Sequence, residues 1–339
     1  MTNHRRNRYM WRIVALLAVA ALLIIVLIRG TMGGFAMFAW FDSSEVEIVL
    51  DERFDIQGVR QVTLDAGSLT VEIKSTEESQ ARLVFQSNLP ADRRAQLAVE
   101  RNGDAFVVEQ LRHVRIGLFL NVREKLTLYL PAGYQEALTL RLRSGNLTMA
   151  DARSFSSLEV NLTSGNVEIG DIAAGSYDVH ASSGNVTLGN WRGEGTLRVT
   201  SGNIRLHSLA GDSHEIRSSS GTIRIGTLIG DSALHVTSGT VRVEHFEGAG
   251  SVTSSSGSVN VGIRRITGEL SVRCSSGTIR LTVPDSLAFH FEAESLSGSV
   301  KTDFPSSREG RRTTAAVGAS PKHTLRCHTT SGTIRVNVE

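Results

Sequence analysis

Arginine recurs at a fixed offset from a repeated Ser-Gly pair. Three residues after the glycine stand Arg205, Arg224, Arg242 and Arg280, continued by Lys301 and Arg335 and broken at Asn260. Four residues before it stand Arg141, Arg198, Arg217 and Arg273. If equivalent residues stack about 4.8 Å apart, each offset becomes a column of charge. Like unit charges about 5 Å apart repel by roughly 0.8 kcal/mol in water, less with salt. Such a stripe is favourable only if acids interleave or an anion lies along it. The candidate chemistry is therefore docking of an anionic envelope polymer or surface glycan on Arg198, Arg205, Arg217, Arg224, Arg242, Arg273 and Arg280. Teichoic acid, lipopolysaccharide phosphate and acidic glycan are examples. The competing reading is a solvated strand face whose arginine stems cover apolar edge.

Other reactive types are poorly placed for catalysis. Serine precedes the glycine every time, but a serine nucleophile needs a base and an orienting acid at one level. His180 and His235 lie four before their glycines with no acid at a fixed offset beside them. The serine column and the Asn/Thr column next to it read as polar ladders bonding to themselves. Asp171, Asp178, Asp212 and Asp231 are scattered through turns, whereas acid–base and metal-assisted chemistry need converging groups. No catalytic residue, cofactor or metal is expected. Two cysteines make neither a disulfide framework nor a zinc site. Cys274 and Cys327 fall at inward offsets, two coils apart in sequence order, which puts them about 9–10 Å apart. Bridging fails beyond roughly 7 Å, so both are expected as buried free thiols.

The elements that position these residues come from ten Ser-Gly pairs, with glycines at 145, 165, 184, 202, 221, 239, 257, 277, 298 and 332. Self-similarity at this period marks a stacked array. Apolar residues two and four after the glycine (Val186 and Leu188, Ile223 and Ile225) and five before it (Val179, Ile216) alternate with polar ones. That is the period of half-buried strands on both sides of a corner. A further apolar place follows at Ile172, Trp191, Leu209, Leu228 and Phe246. No unit buries its interior alone, so stacking supplies both the core and the ladder. The fold expected is an all-β parallel solenoid of coils of about 18–20 residues. Gln57 to Ile73 reads as a degenerate first coil with Ala66-Gly67 at its corner. Residues 75–135 read as a cap or side sheet over the exposed end, with a hairpin at Arg101-Asn102-Gly103-Asp104. The polar insertion 304–322 shows no core pattern and is expected to be disordered.

Ile13 to Ile28 is an unbroken apolar run, extendable through Tyr9 to about 20 residues, which suits a transmembrane helix. Arg5, Arg6, Arg8 and Arg12 precede it and acids follow, so the N-terminus should be cytoplasmic and the rest extracytoplasmic. A cleaved signal peptide is the alternative. The organisation expected is a tail over 1–8, a membrane helix over 9–30, a juxtamembrane linker over 31–55 and a solenoid over 56–339. The first 41 residues carry five arginines and no acid, leaving 31 basic and 34 acidic residues beyond them. A nucleic-acid partner is not expected of a near-neutral domain.

The Ser-Ser/Thr-Gly-Asn/Thr-Ile/Val units resemble the bacterial putative-adhesin domain, a LiaG-like domain of unknown function. So do Leu128-Tyr129-Leu130-Pro131, its echo Leu281-Thr282-Val283-Pro284, and the ending from Leu296 to Pro305 followed by Thr330-Ser331-Gly332-Thr333-Ile334. The likeness covers about 56–339. It implies a right-handed β-helix outside the membrane, often behind an N-terminal anchor, and brings no catalytic residue. Many members carry Asp after the glycine, whereas this chain has Asn146, Asn166, Asn185 and Asn203 and then Thr or Ser, a less anionic row. The functions implied are a non-catalytic surface binding or scaffold module, or an accessory of envelope-stress signalling contacting a membrane protein. A polysaccharide-active enzyme is the third reading.

Overall fold

The computed structural model describes residues 45–112 and 122–339. The chain divides into residues 1–47 and Ile48–Glu339. Of the first unit only 45–47 are described, so the expected membrane helix at 9–30 lies outside the described residues. Among the described residues no helix is long and apolar enough to cross a membrane.

The second unit is all-β. Seven strands lead in: β1 (Glu47–Phe54), β2 (Gln61–Gly67), β3 (Thr70–Thr76), β4 (Ala81–Ser87), β5 (Gln96–Asn102), β6 (Ala105–Arg112) and β7 (Glu124–Pro131). The repeats form β8 (Ala137–Met149), β9 (Arg153–Ile169) and the long β10 (Ile172–Val283). The chain ends with β11 (Phe289–Thr302), β12 (Ser307–Glu309), β13 (Arg312–Val317) and β14 (Thr324–Val338). All join one sheet, in which the repeats pair in parallel and like with like. Gly145 sits beside Gly165, which sits beside Gly184, and Leu147, Val167 and Val186 share a column. Through β10 each glycine again lies against the carbonyl of the glycine one rung before.

These glycines have φ between +124° and +158°, backbone that L side chains rarely adopt. The kink shifts the facing of side chains by one residue. Before it, positions −5 and −3 are inward (Ile216 and Ser218); after it, positions +2 and +4 are (Ile223 and Ile225). Positions −4 and +3 consequently face out, as Arg217 and Arg224 do.

At the N-terminal end, β2 and β3 form the first coil. Leu64 pairs with Leu140, Val71 with Leu147 and Ile73 with Met149. Two flanks cover this coil: β7 lies parallel on β3 with β4 antiparallel to it, and β6 lies parallel on β2 with β5 antiparallel to it.

Arg153 fastens this cap to the stack. It pairs with Ile172, so it holds the place that an apolar residue fills in later rungs, yet it is 5% exposed. Its Nη1 donates to Ser75 Oγ (2.9 Å) and Leu130 O (3.1 Å), its Nη2 to Pro131 O (3.1 Å), and the guanidinium stacks 5.5 Å from the Phe155 ring. Burial pulls its pKa below the ordinary arginine value. Arg153→Met strands these acceptors and should cost about 2–3 kcal/mol in chemical denaturation. Arg153→Lys should restore only part, since an ammonium cannot span the same fork. A methionine variant as stable as the parent would contradict this role.

The C-terminal end departs from sequence order. β14 docks directly on the last rung of β10, pairing Gly277 with Gly332 and Ile279 with Ile334. β11 then docks on β14, pairing Gly298 with Gly332. The chain's last strand is thus slotted between two earlier ones. The insertion 304–322, expected as disorder, is instead an ordered hairpin: β13 runs antiparallel to β11 and β12 antiparallel to β13. Thr313 is buried in it, Arg312 pairs with Glu292 at 3.2 Å, and Phe304 packs edge-on against Phe289 and Phe291. A terminal rung needs such a cover for its unpaired edge.

The cysteines are free and buried. They lie on adjacent rungs, not two coils apart, because β14 follows β10 in the stack. Cys327 is level with Val272 and Cys274 with Thr329, a diagonal offset. Burial raises both thiol pKa values.

Candidate functional site

The column three after the glycine reads, in stacked order, Arg205, Arg224, Arg242, Asn260, Arg280, Arg335 and Lys301. The slotted strand therefore places Arg335 between Arg280 and Lys301, three cations on consecutive rungs. All six cations are exposed. Arg242 approaches a carboxylate, Glu244, at 3.9 Å. Among the described residues none of Arg205, Arg224, Arg280, Arg335 and Lys301 has an ion-pair partner. The first rungs carry Thr148, Glu168 and Thr187 at this offset, so the stripe starts at Arg205.

The other column is compensated at three of its four arginines. Glu215, from the offset six before the glycine, bonds Arg198 at 3.0 Å and also pairs with Arg217. Arg217 first and Arg198 second hold its carboxyl below the usual range. Arg141 reaches Glu159 at 3.7 Å. Arg273 has no ion-pair partner among the described residues; Arg326 of the next rung, two positions earlier along the strand, bridges Glu269 (2.8 Å) and Glu292 (3.2 Å). The expected seven-residue site therefore splits. Arg205, Arg224, Arg242 and Arg280 form a column largely free of acids, while on the other side of the Ser-Gly kink Arg198 and Arg217 are tied to one carboxylate and Arg273 is not.

Asparagines next to the glycine form a ladder. Asn166 Nδ2 donates to Asn146 Oδ1 (3.3 Å), Asn185 Nδ2 to Asn166 Oδ1 (3.2 Å) and Asn203 Nδ2 to Asn185 Oδ1 (3.0 Å). The neighbouring serines make no such chain among the described residues. His235 Nδ1 bonds Thr253 Oγ1 at 2.7 Å, and among the described residues it has no carboxylate partner. Among the described residues no group of three His, Cys, Asp or Glu could hold a metal ion.

The sequence pattern of Toastrack DUF4097 matches residues 59–228 and again 200–337. This chain belongs to the Toastrack DUF4097 family. The matches overlap over 200–228, so this Toastrack stack is longer than a single copy of the family pattern. No functionally curated protein matches it. Solved structures similar to it include a putative adhesin from Parabacteroides merdae (9% identity, 86% of this chain and 96% of that one, TM-score 0.36). A putative adhesin from Parabacteroides distasonis gives 9% identity, 87% and 98% coverage and a TM-score of 0.33. A putative lipid binding protein from the same species gives 14%, 86% and 96%, and 0.28.

Sequence reasoning missed one buried polar pair in the Toastrack core. Tyr177 Oη meets His214 Nδ1 at 2.9 Å, and His214 Nε2 meets Ile229 O at 3.0 Å. A carbonyl only accepts, so Nε2 carries the proton and Nδ1 accepts from the tyrosine. Burial holds the His214 pKa below 6.5, against the opposing pull of Glu194 and Asp212. The unfolded chain therefore takes up this proton first as pH falls. The contribution is complete above pH 6.5 and is lost as pH drops through 6.5 toward the depressed folded value. Urea denaturation at pH 7.5 and 5.5 should show a stability drop that is smaller in His214→Gln. An equal drop would remove His214 from the explanation.

Proposed function

We propose that this Toastrack chain is a non-catalytic, membrane-anchored module of the cell envelope that binds an anionic polymer or surface glycan. The single-pass helix over 9–30 holds it with the N-terminus in the cytoplasm. The domain, a right-handed parallel β-helix, works outside. The apolar run from Ile13 to Ile28 behind an arginine-rich tail supports the anchor. The observation that carries the binding reading is the contrast between the two columns: Arg198 and Arg217 share Glu215 and Arg141 reaches Glu159, whereas the +3 cations stand on successive rungs mostly without acids. An uncompensated stripe is mildly repulsive by itself and attractive to a polyanion.

The test is retention of full-length protein on immobilised polygalacturonate and polyglycerol phosphate. Replacing Arg205, Arg224 and Arg242 together by Ser should lower the eluting salt sharply. It should also flatten the log–log salt dependence by about 3, one unit per lost charge, as with other polyanions. Unchanged salt-sensitive retention would reduce the stripe to a solvated surface. Glycan cleavage by the purified protein would overturn the non-catalytic reading.

A further inference from the structure

The cationic column is interrupted once, and the interruption is a trench. On the Gly257 rung the outward residues are Asn260 and Gly262; the rung before has Arg242 and Glu244, and the rung after has Arg280 and Thr282. Gly262 lies against the backbone carbonyl of Glu244, which leaves no room for a side chain. Asn260 has no such constraint, since both its column neighbours are arginines. The result is a cleft of about 520 Å³ lined by Arg242, Glu244, Asn260, Arg264, Arg280 and Asn337, among others. Its walls stand two rungs apart, about 10 Å, which is room for a ring rather than a bare oxyanion.

The lining has a mixed chemistry. Arg264 donates Nε to His245 Nδ1 at 3.1 Å, and among the described residues no carboxylate pairs with Arg264 or Arg280. Beside these cations stand the Glu244 and Glu339 carboxylates, which accept, and the Asn260 and Asn337 amides, which accept and donate. A simple phosphate or sulfate would use the guanidinium and amide donors only and leave the carboxylates and amide oxygens without a partner. Sugar hydroxyls both donate and accept, so they use both kinds of group. Resting on the stripe reading above, we infer that the trench seats one uronate residue of a polymer lying along the stripe. The guanidinium groups of Arg264 and Arg280 face its carboxylate, and Glu244 and Asn260 face its hydroxyls.

Asn260→Arg separates the trench from the stripe. It fills the cleft with the side chain its neighbours already carry and adds a positive charge. Full-length protein titrated calorimetrically with tetragalacturonate should show saturable one-to-one binding, weakened about tenfold or more by Asn260→Arg. The same variant should be retained on polygalacturonate at least as strongly as the parent. Arg205→Ser with Arg224→Ser should do the reverse, lowering retention steeply while weakening tetragalacturonate binding less than Asn260→Arg does. No saturable binding by the parent, or equal binding by Asn260→Arg, overturns the trench and leaves the stripe standing. Retention indifferent to the Arg205 and Arg224 changes overturns the stripe itself. Equally tight, Asn260→Arg-sensitive binding of a glycerol phosphate tetramer or of neutral cellotetraose overturns the uronate assignment.

Discussion

Gly239→Ala should destabilise the protein by about 3 kcal/mol or more, although it adds one methyl group. Gly239 has φ +142°, and a Cβ there would collide with the carbonyl oxygen of Gly221 on the rung before. The dihedral alone costs about 1–3 kcal/mol for an L residue. Parting two hydrogen-bonded rungs to admit the methyl costs about as much again. A thermal scan should show a fall of roughly 6–12 °C. Gly103→Ala is the control: its φ is also positive, +64°, but a Cβ at this hairpin tip meets nothing within 4 Å. It should cost only about 1–2 kcal/mol. Equal effects at the two sites would mean that rung contact at the kink contributes nothing.

The second large effect is removal of residues 324–339. Those residues pair with β10 on one side and β11 on the other, register by register from Leu270↔Leu325 to Val283↔Val338 and from His290↔Thr324 to Thr302↔Val336. Deleting them uncovers the buried row of Val272, Ile279 and Leu281 and leaves β11, β12 and β13 with nothing to stack on. Because each rung contacts only its neighbours, the loss should stay local. Limited proteolysis should cut rapidly within 284–323 while a fragment ending near Val283 survives. If β14 were simply the outermost rung, residues 289–302 would remain protected on β10 after the same deletion.

Much of this architecture is legible in the sequence because a rung repeats its inward residues at fixed offsets. Ile216 and Ile223 lie seven apart, an odd separation that an unkinked strand could not put on one face. Both are buried, which requires a facing switch between them, and the positive φ of Gly221 supplies it. The stacking order of the last rungs is not legible. Gly277, Gly298 and Gly332 carry the same motif, and a parallel like-on-like register does not encode which neighbour comes next. The hairpin of β12 and β13 bridges the detour, and its short alternation at Thr313 and Ala315 is too weak to announce a strand. Arg153 had one signal, the missing apolar residue where later rungs have Ile172 or Trp191. Nothing in the sequence showed that its guanidinium would turn inward onto the cap carbonyls. The split of the arginine columns depended on Glu215, a single acid whose reach to both Arg198 and Arg217 is visible only once the rungs are stacked.

Columns carry the account, and their order is the claim most directly open to measurement. Thr278, Thr333 and Ser299 share one level on three successive rungs, with Thr333 in the middle. In a background of Cys274→Ser and Cys327→Ala, paired cysteine substitutions at Thr278 and Thr333 place Cα atoms one rung apart, about 4.8 Å and within disulfide reach. The same substitutions at Thr278 and Ser299 span about 10 Å, beyond it. Mild oxidation should crosslink the first pair and leave the second reduced. Crosslinking of Thr278→Cys with Ser299→Cys, and not with Thr333→Cys, would contradict the slotted strand and the run of three cations built on it.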